Sequence, residues 1–108
     1  VIIVCGLQGA GKSSWIKLYG YRYSPCIFFD AALPGARHRG KVSQIAKQFG
    51  TELWVVWIKT SLAIALQRNA LRAMDERVPE KAIRSVAELF EPPTMDEGFD
   101  KIIILDYD

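Results

Sequence analysis

The apolar run VIIVC (1–5) empties into Gly6-Leu7-Gln8-Gly9-Ala10-Gly11, then into Lys12 and the paired hydroxyls Ser13 and Ser14. No other stretch of the chain leaves so little freedom to the fold. Consecutive apolar residues without polar alternation expect a strand buried on both faces, and such a strand belongs in a parallel sheet covered by helices. Glycines at 6, 9 and 11 allow a sharp turn and let successive backbone N–H groups converge, because no Cβ stands in the way. A helix starting near Lys12 aims its unpaired N–H groups and the positive end of its dipole at the same point. Strand, turn and helix together expect a seat for a phosphate-like anion.

The turn fits G-x-x-x-x-G-K-[ST], the Walker A pattern of the P-loop NTPases, and it lies between a strand and a helix, as that pattern requires. A chance match is expected in roughly one chain of this length in a few hundred. Under this reading Gly6, Gln8, Gly9, Ala10, Gly11, Lys12, Ser13 and Ser14 cradle nucleotide phosphates. Lys12 reaches the β- and γ-phosphates, and the Ser13 hydroxyl ligates Mg²⁺.

The remaining chain alternates short apolar runs with helix-period segments, the signature of a parallel α/β sheet. After the helix at 12–20, CIFF (26–29) reads as a strand ending at Asp30. In 35–49, Val42, Ile45, Ala46 and Phe49 fall at i, i+3, i+4 and i+7, a helix closed by Gly50. LWVVWI (53–58) reads as a third strand. Ser61 caps a helix with Leu62, Leu66 and Ala70 on one face. Pro79 opens another helix with Ile83, Val86 and Phe90 inward. EPPTMDEGF is a loop, and IIIL (102–105) is the last strand. The expectation is one α/β domain over 1–108, a three-layer P-loop NTPase with a short parallel sheet of about four strands flanked by helices.

Composition excludes several classes. Half of the 108 residues are hydrophobic and 24% are charged, which suits an ordinary globular chain. No apolar run approaches the ~20 residues of a membrane span, and the first segment lacks the basic leader of a signal peptide. Two cysteines, Cys5 and Cys26, imply no disulfide framework and a reducing cytoplasm. The net charge of +2 is too small to demand a nucleic-acid partner. Basic residues do cluster, at Arg37, Arg39, Lys41 and Lys47 and again at Arg68, Arg72, Arg77, Lys81 and Arg84, while acids gather in ELFEPPTMDEGFDK.

Asp30, at the tip of an apolar strand, suits a carboxylate holding Mg²⁺ or its water; the competing reading is a strand-end turn, since ALPG follows. Asp106 is a rival, better read as a terminal turn residue. Arg68 and Arg72 share a helix face and, with Arg77 beyond, suit a lid that neutralises transferring phosphates. Their alternative is a solvated face paired with Glu76 and Glu80. His38 has no ligand partner at metal spacing and reads as a surface residue. The segment 37–47 reads as a solvated helix face, and Trp54 and Trp57 read as core.

GLQGAGKSSW, FFDAALPGARHR, IKTSLAIALQRNALRAMDERVPEKAI and FEPPTMDEGFDKI together resemble the P-loop kinases related to polynucleotide kinase, small AAA-type ATP-binding domains. The likeness spans nearly the whole chain. It implies ATP with Mg²⁺ and γ-phosphoryl transfer to a hydroxyl, either a nucleic-acid 5′-hydroxyl or a small molecule. It also implies catalytic roles for Lys12, Asp30 and Arg72, donor contacts from Arg68 and Arg72, and metal contacts from Ser13 and Asp30. ATP over GTP rests on the likeness alone, and the N-K-x-D signature of many GTPases does not occur.

The likeness breaks in one place. In those kinases a strand bearing an Asp base, followed by an Arg for the acceptor phosphate and a helix, separates the first helix from the second acidic strand. Here only LYGYRYSPC stands between them. Ala31-Ala32 replace the Thr or Asn expected after Asp30. Either the acceptor side is rebuilt, with Asp30 as base and Arg37 or Arg39 gripping substrate, or transfer is lost and a nucleotide-binding module remains.

Overall fold

Strands β1 (Ile2–Cys5), β2 (Phe28–Asp30), β3 (Trp54–Lys59) and β4 (Lys101–Asp106) pair in parallel in the order β2-β1-β3-β4. The computed structural model describes residues 1–7, 10–23, 27–30 and 34–106, with Tyr21, Tyr23 and Asp30 described by backbone only. Parallel neighbours cannot be joined by hairpins, so helices carry the crossovers. These are α1 (Lys12–Tyr19), α2 (Ala36–Gln48), α3 (Leu62–Ala70) and α4 (Glu80–Leu89). The four-stranded α/β sheet is the one expected. Cys26, at the start of the expected second strand, lies outside the described residues.

Both faces of the sheet are covered, which is why its strands read as unbroken apolar runs. Ile2 and Val4 join Val56, Ile58, Ala10 and Trp15 on the α1 face. Ile3 and Cys5 join Val42, Ala46, Leu53, Val55 and Phe99 on the α2 face. Each fully buried side chain of this kind contributes about 1.5–3 kcal/mol. A third cluster packs Leu7, from the glycine turn, against Ala65 of α3 and Ile83 of α4. Trp54 and Trp57 pack in the two sheet-face clusters, and Trp57 also stacks on Phe90 at 5.2 Å, in line with their reading as core. Chain order makes the boundary of β1 and β3 a switch point, since the chain leaves β1 for β2 on one side and returns to β3 on the other. Ligands of open α/β sheets bind at such points, outside the carboxyl ends of the strands.

Two helix faces differ from the pattern read in the sequence. In α2 the inward set is Arg39, Val42, Ser43 and Ala46, while Ile45 is 48% and Phe49 76% exposed. The rotation follows from Arg39, fully buried rather than part of a solvated face. Its Nε donates to Glu97 Oε1 at 2.8 Å and its Nη2 to the Glu91 carbonyl at 2.8 Å. In α3 the buried residues are Ala65 and Asn69, and Ala70 is exposed. Asn69 turns inward because its carboxamide pairs twice with Val78: Nδ2 donates to the carbonyl at 2.7 Å, and Oδ1 accepts from the N–H at 2.9 Å. Apolar periodicity alone cannot reveal a polar residue whose partner is a distant backbone.

Burial pushes the Cys5 thiol from 9.0 up to about 11, against the smaller opposing pull of Arg39 and Lys12. Above pH 9 the unfolded chain loses this proton while the folded chain keeps it. Stability contributed here is therefore full below pH 9 and falls as pH rises towards 11. The expected loss at pH 11 is on the order of 2 kcal/mol relative to Cys5→Ala, read from urea midpoints of both proteins at pH 8 and pH 11. Among the described residues no helix is long and apolar enough to cross a membrane.

Candidate nucleotide site

The glycine turn leaves β1 at Gly6, whose φ of +147° is open to glycine and strained for other residues. A Cβ there would stand 2.7 Å from the Ile58 carbonyl oxygen of β3, so the turn is pressed against the neighbouring strand. Leu7 and Ala10 are buried, and the Ala10 N–H donates to the Leu7 carbonyl at 3.0 Å. Gly11, with φ +106°, is the left-handed residue from which α1 starts. Gln8 and Gly9 lie outside the described residues.

Lys12 opens α1 and folds back over the turn. Its Nζ donates to the Gly6 carbonyl at 3.1 Å and the Leu7 carbonyl at 3.0 Å. The ammonium is thus held at the mouth of the turn, while Ser13 and Ser14 stand exposed on the first turn of α1. No acidic residue occupies that turn, and the helix dipole favours negative charge there.

Arg68 and Arg72 come to the same place from α3. Arg68 Nη1 donates to the Ala10 carbonyl at 3.3 Å, tying the end of α3 to the glycine turn. With Ala10, Gly11, Ser14 and Trp15, the two arginines line a pocket of about 400 Å³ beside the start of α1. That volume falls in the range of small-molecule sites. The alternative partner Glu80 instead pairs with Arg84 at 2.7 Å. Arg77 Nε donates to the Arg72 carbonyl at 2.8 Å and, with the Asn69–Val78 pairing, folds residues 71–78 back towards α3.

Asp30 closes β2 with its backbone in register with Val4 of β1, so strand and turn end together at one side of the sheet. Ala31 and Ala32 lie outside the described residues. Arg39 is committed to the buried pair with Glu97 and is not available to substrate, which overturns its reading as an acceptor grip. Arg37 is exposed on α2. His38 accepts from the Gly35 N–H through Nδ1 at 3.1 Å and closes the start of α2. Asp106 ends β4, at the strand edge of the sheet. Among the described residues no three His, Cys, Asp or Glu side chains gather to hold a metal.

A family model described as an AAA domain matches residues 18–93, more than two thirds of the chain. The chain belongs to the AAA-domain family. Its members are P-loop NTPases, and this AAA domain is a nucleotide-binding fold with the glycine turn at its expected place. The match begins at Leu18, within α1, so residues 6–13 are carried by their own spacing and geometry. None of the curated proteins matches the chain. Asn69 is the site-region residue that sequence reasoning missed; it lies between Arg68 and Arg72 in the chain, but only its double pairing to Val78 gives it a task. Thr60, the residue after β3, also carries a signal invisible in sequence: its hydroxyl is buried and unpartnered among the described residues.

Proposed function

We propose that this AAA domain binds ATP with Mg²⁺ and transfers the γ-phosphate to a hydroxyl acceptor, as a kinase of the polynucleotide-kinase-like group. One observation carries the reading: Arg68 and Arg72 of α3 line a pocket with Ala10, Gly11 and Ser14 at the start of α1, and the ammonium of Lys12, which opens that helix, is held over the adjoining glycine turn. Three cations around one helix N-terminus suit a triphosphate and little else of that size.

Lys12 holds the β- and γ-phosphates in place of the two carbonyls it now contacts. Arg72, with Arg68 behind it, offsets the charge that spreads over the equatorial oxygens during transfer. Ser13 and Asp30 would hold a magnesium ion, their hydroxyl and carboxylate being the oxygen ligands this ion prefers. When bound, that ion would supply neutralisation of the phosphate charge during transfer. Asp30 takes the acceptor's proton. The acceptor oxygen bonds to the γ-phosphorus as the bond to the bridging oxygen breaks, leaving ADP with that electron pair. Cysteine usage suits a reducing cytoplasm, and 1–108 reads as a single domain.

A second reading, a nucleotide-binding module without transfer, is favoured by the short link between α1 and β2. The described part of that link holds only a 3₁₀ turn, Gly20–Tyr23. Transfer of labelled γ-phosphate from ATP·Mg²⁺ to 5′-hydroxyl DNA and RNA oligonucleotides separates the two. The kinase reading expects labelled oligonucleotide that disappears with Asp30→Ala. Label released only to water, or none released despite ATP binding, leaves the module.

A further inference from the structure

A second pocket, of about 430 Å³, lies on the other side of α1. Ser13, Ser14, Ile16 and Lys17 form one wall, and Phe28 of β2 forms the other. Ser14 belongs to both pockets, so the two concavities meet at the first turn of α1, one with the arginines and one with Lys17. In-line phosphoryl transfer needs donor and acceptor on opposite sides of the moving phosphoryl. The geometry of α1 supplies two such sides.

We propose that the pocket between α1 and β2 is the acceptor site, and that Lys17 grips an anionic group of the acceptor. The inference rests on the kinase reading above and names its missing half. Phe28 is half-buried, packed edge-on against Trp15 with ring centroids 6.4 Å apart, and Ile16 lies beside it. Their exposed parts give the pocket an apolar wall suited to a flat ring. Lys17, one turn along α1 from Ser13 and Ser14, is exposed, and no described residue lining the pocket is acidic. A cation, two hydroxyls and an apolar wall fit a hydroxyl compound with a ring and a nearby phosphate, the chemistry of a nucleotide at a strand end. Asp30 ends β2 two positions after Phe28, and under the kinase reading its carboxylate takes the hydroxyl's proton. The acceptor oxygen bonds to the γ-phosphorus as ADP leaves, and Asp30 carries the proton on to water. This placement replaces Arg37 and Arg39 as the acceptor grip.

The test uses a fluorescent 5′-hydroxyl pentanucleotide as probe, titrated into the full chain with and without a non-hydrolysable ATP analogue and Mg²⁺. Lys17→Glu is expected to weaken probe binding about tenfold or more, while analogue affinity and melting temperature stay as in the parent. Lys41→Glu, which reverses an exposed charge on α2, is expected to leave probe binding unchanged. In the ¹⁵N-labelled parent, probe addition shifts the amide signals of Ile16, Lys17 and Phe28. Equal losses in Lys17→Glu and Lys41→Glu, shifts confined to residues 37–47, or no probe binding at all would overturn the assignment. Loss of analogue binding in the parent would instead overturn the kinase reading, since the probe titration without analogue reports the acceptor pocket separately.

Discussion

Arg39→Ala lowers the stability of the chain by about 3–5 kcal/mol, the cost of leaving a buried partner unpaired. Arg39 is 0% exposed, and Glu97, its carboxylate partner, is 11% exposed. Beyond the ion pair, Arg39 donates to the Glu91 carbonyl and, through Nη1 at 3.3 Å, to the Pro34 carbonyl. The Glu91 N–H donates to the same Pro34 carbonyl at 2.6 Å. The late acidic segment is thereby strapped across the start of α2, and its Phe99 is buried in the α2-face cluster. Removing the guanidinium takes the Arg39 donor from the Glu91 carbonyl and leaves the Glu97 carboxylate without its cation, with the Thr94 N–H at 2.8 Å as its remaining donor among the described residues. For a domain of this size the melting temperature falls by about 15 °C or more. Glu97→Gln added to Arg39→Ala recovers part of the loss, because the uncompensated charge is then gone. A single-variant change below about 1 kcal/mol would show that the strap contributes little.

Lys12→Ala lowers ATP·Mg²⁺ affinity roughly 10- to 100-fold, the range expected from losing one or two charge-assisted hydrogen bonds to phosphate. The same change costs the empty protein little. Lys12 is only partly buried, and the Gly6 and Leu7 carbonyls it contacts lie at the mouth of the turn, where water can replace it. The two effects separate cleanly by thermal melting. The parent gains about 2.7 kcal/mol of stability at ATP a hundredfold above its dissociation constant, and Lys12→Ala at the same ATP concentration gains far less. Equal ligand stabilisation of both proteins would mean the nucleotide does not sit on the glycine turn.

What could be read from the sequence depended on how far apart the interacting residues lie. The glycine turn is local: spacing at 6, 9 and 11, a preceding apolar run and a following lysine are all contained in a short stretch. The structure realises it with Gly6 and Gly11 at positive φ and Lys12 folded over the mouth. Strand identity was equally local, since unbroken apolar runs mean burial on both faces. Arg39 could not be read this way. It sits in an acid-free basic run, and its partner Glu97 is 58 positions away. Charge pattern along the chain therefore suggested a solvated face, and apolar spacing placed Ile45 and Phe49 inside, where Arg39 and Ser43 lie instead. Asn69 was hidden for the same reason, its partners being backbone groups of a returning loop. Arg68 and Arg72 were legible as a pair on one face, but their approach to Ala10 depends on α3 docking beside the turn.

The most direct measurement is calorimetric titration of ATP·Mg²⁺ into the parent chain and into Lys12→Ala, with melting curves confirming that both are folded. Saturable binding to the parent, weakened at least tenfold by the substitution, is the expected result. No binding to the parent, or binding of equal strength to Lys12→Ala, would contradict a triphosphate seat at the start of α1.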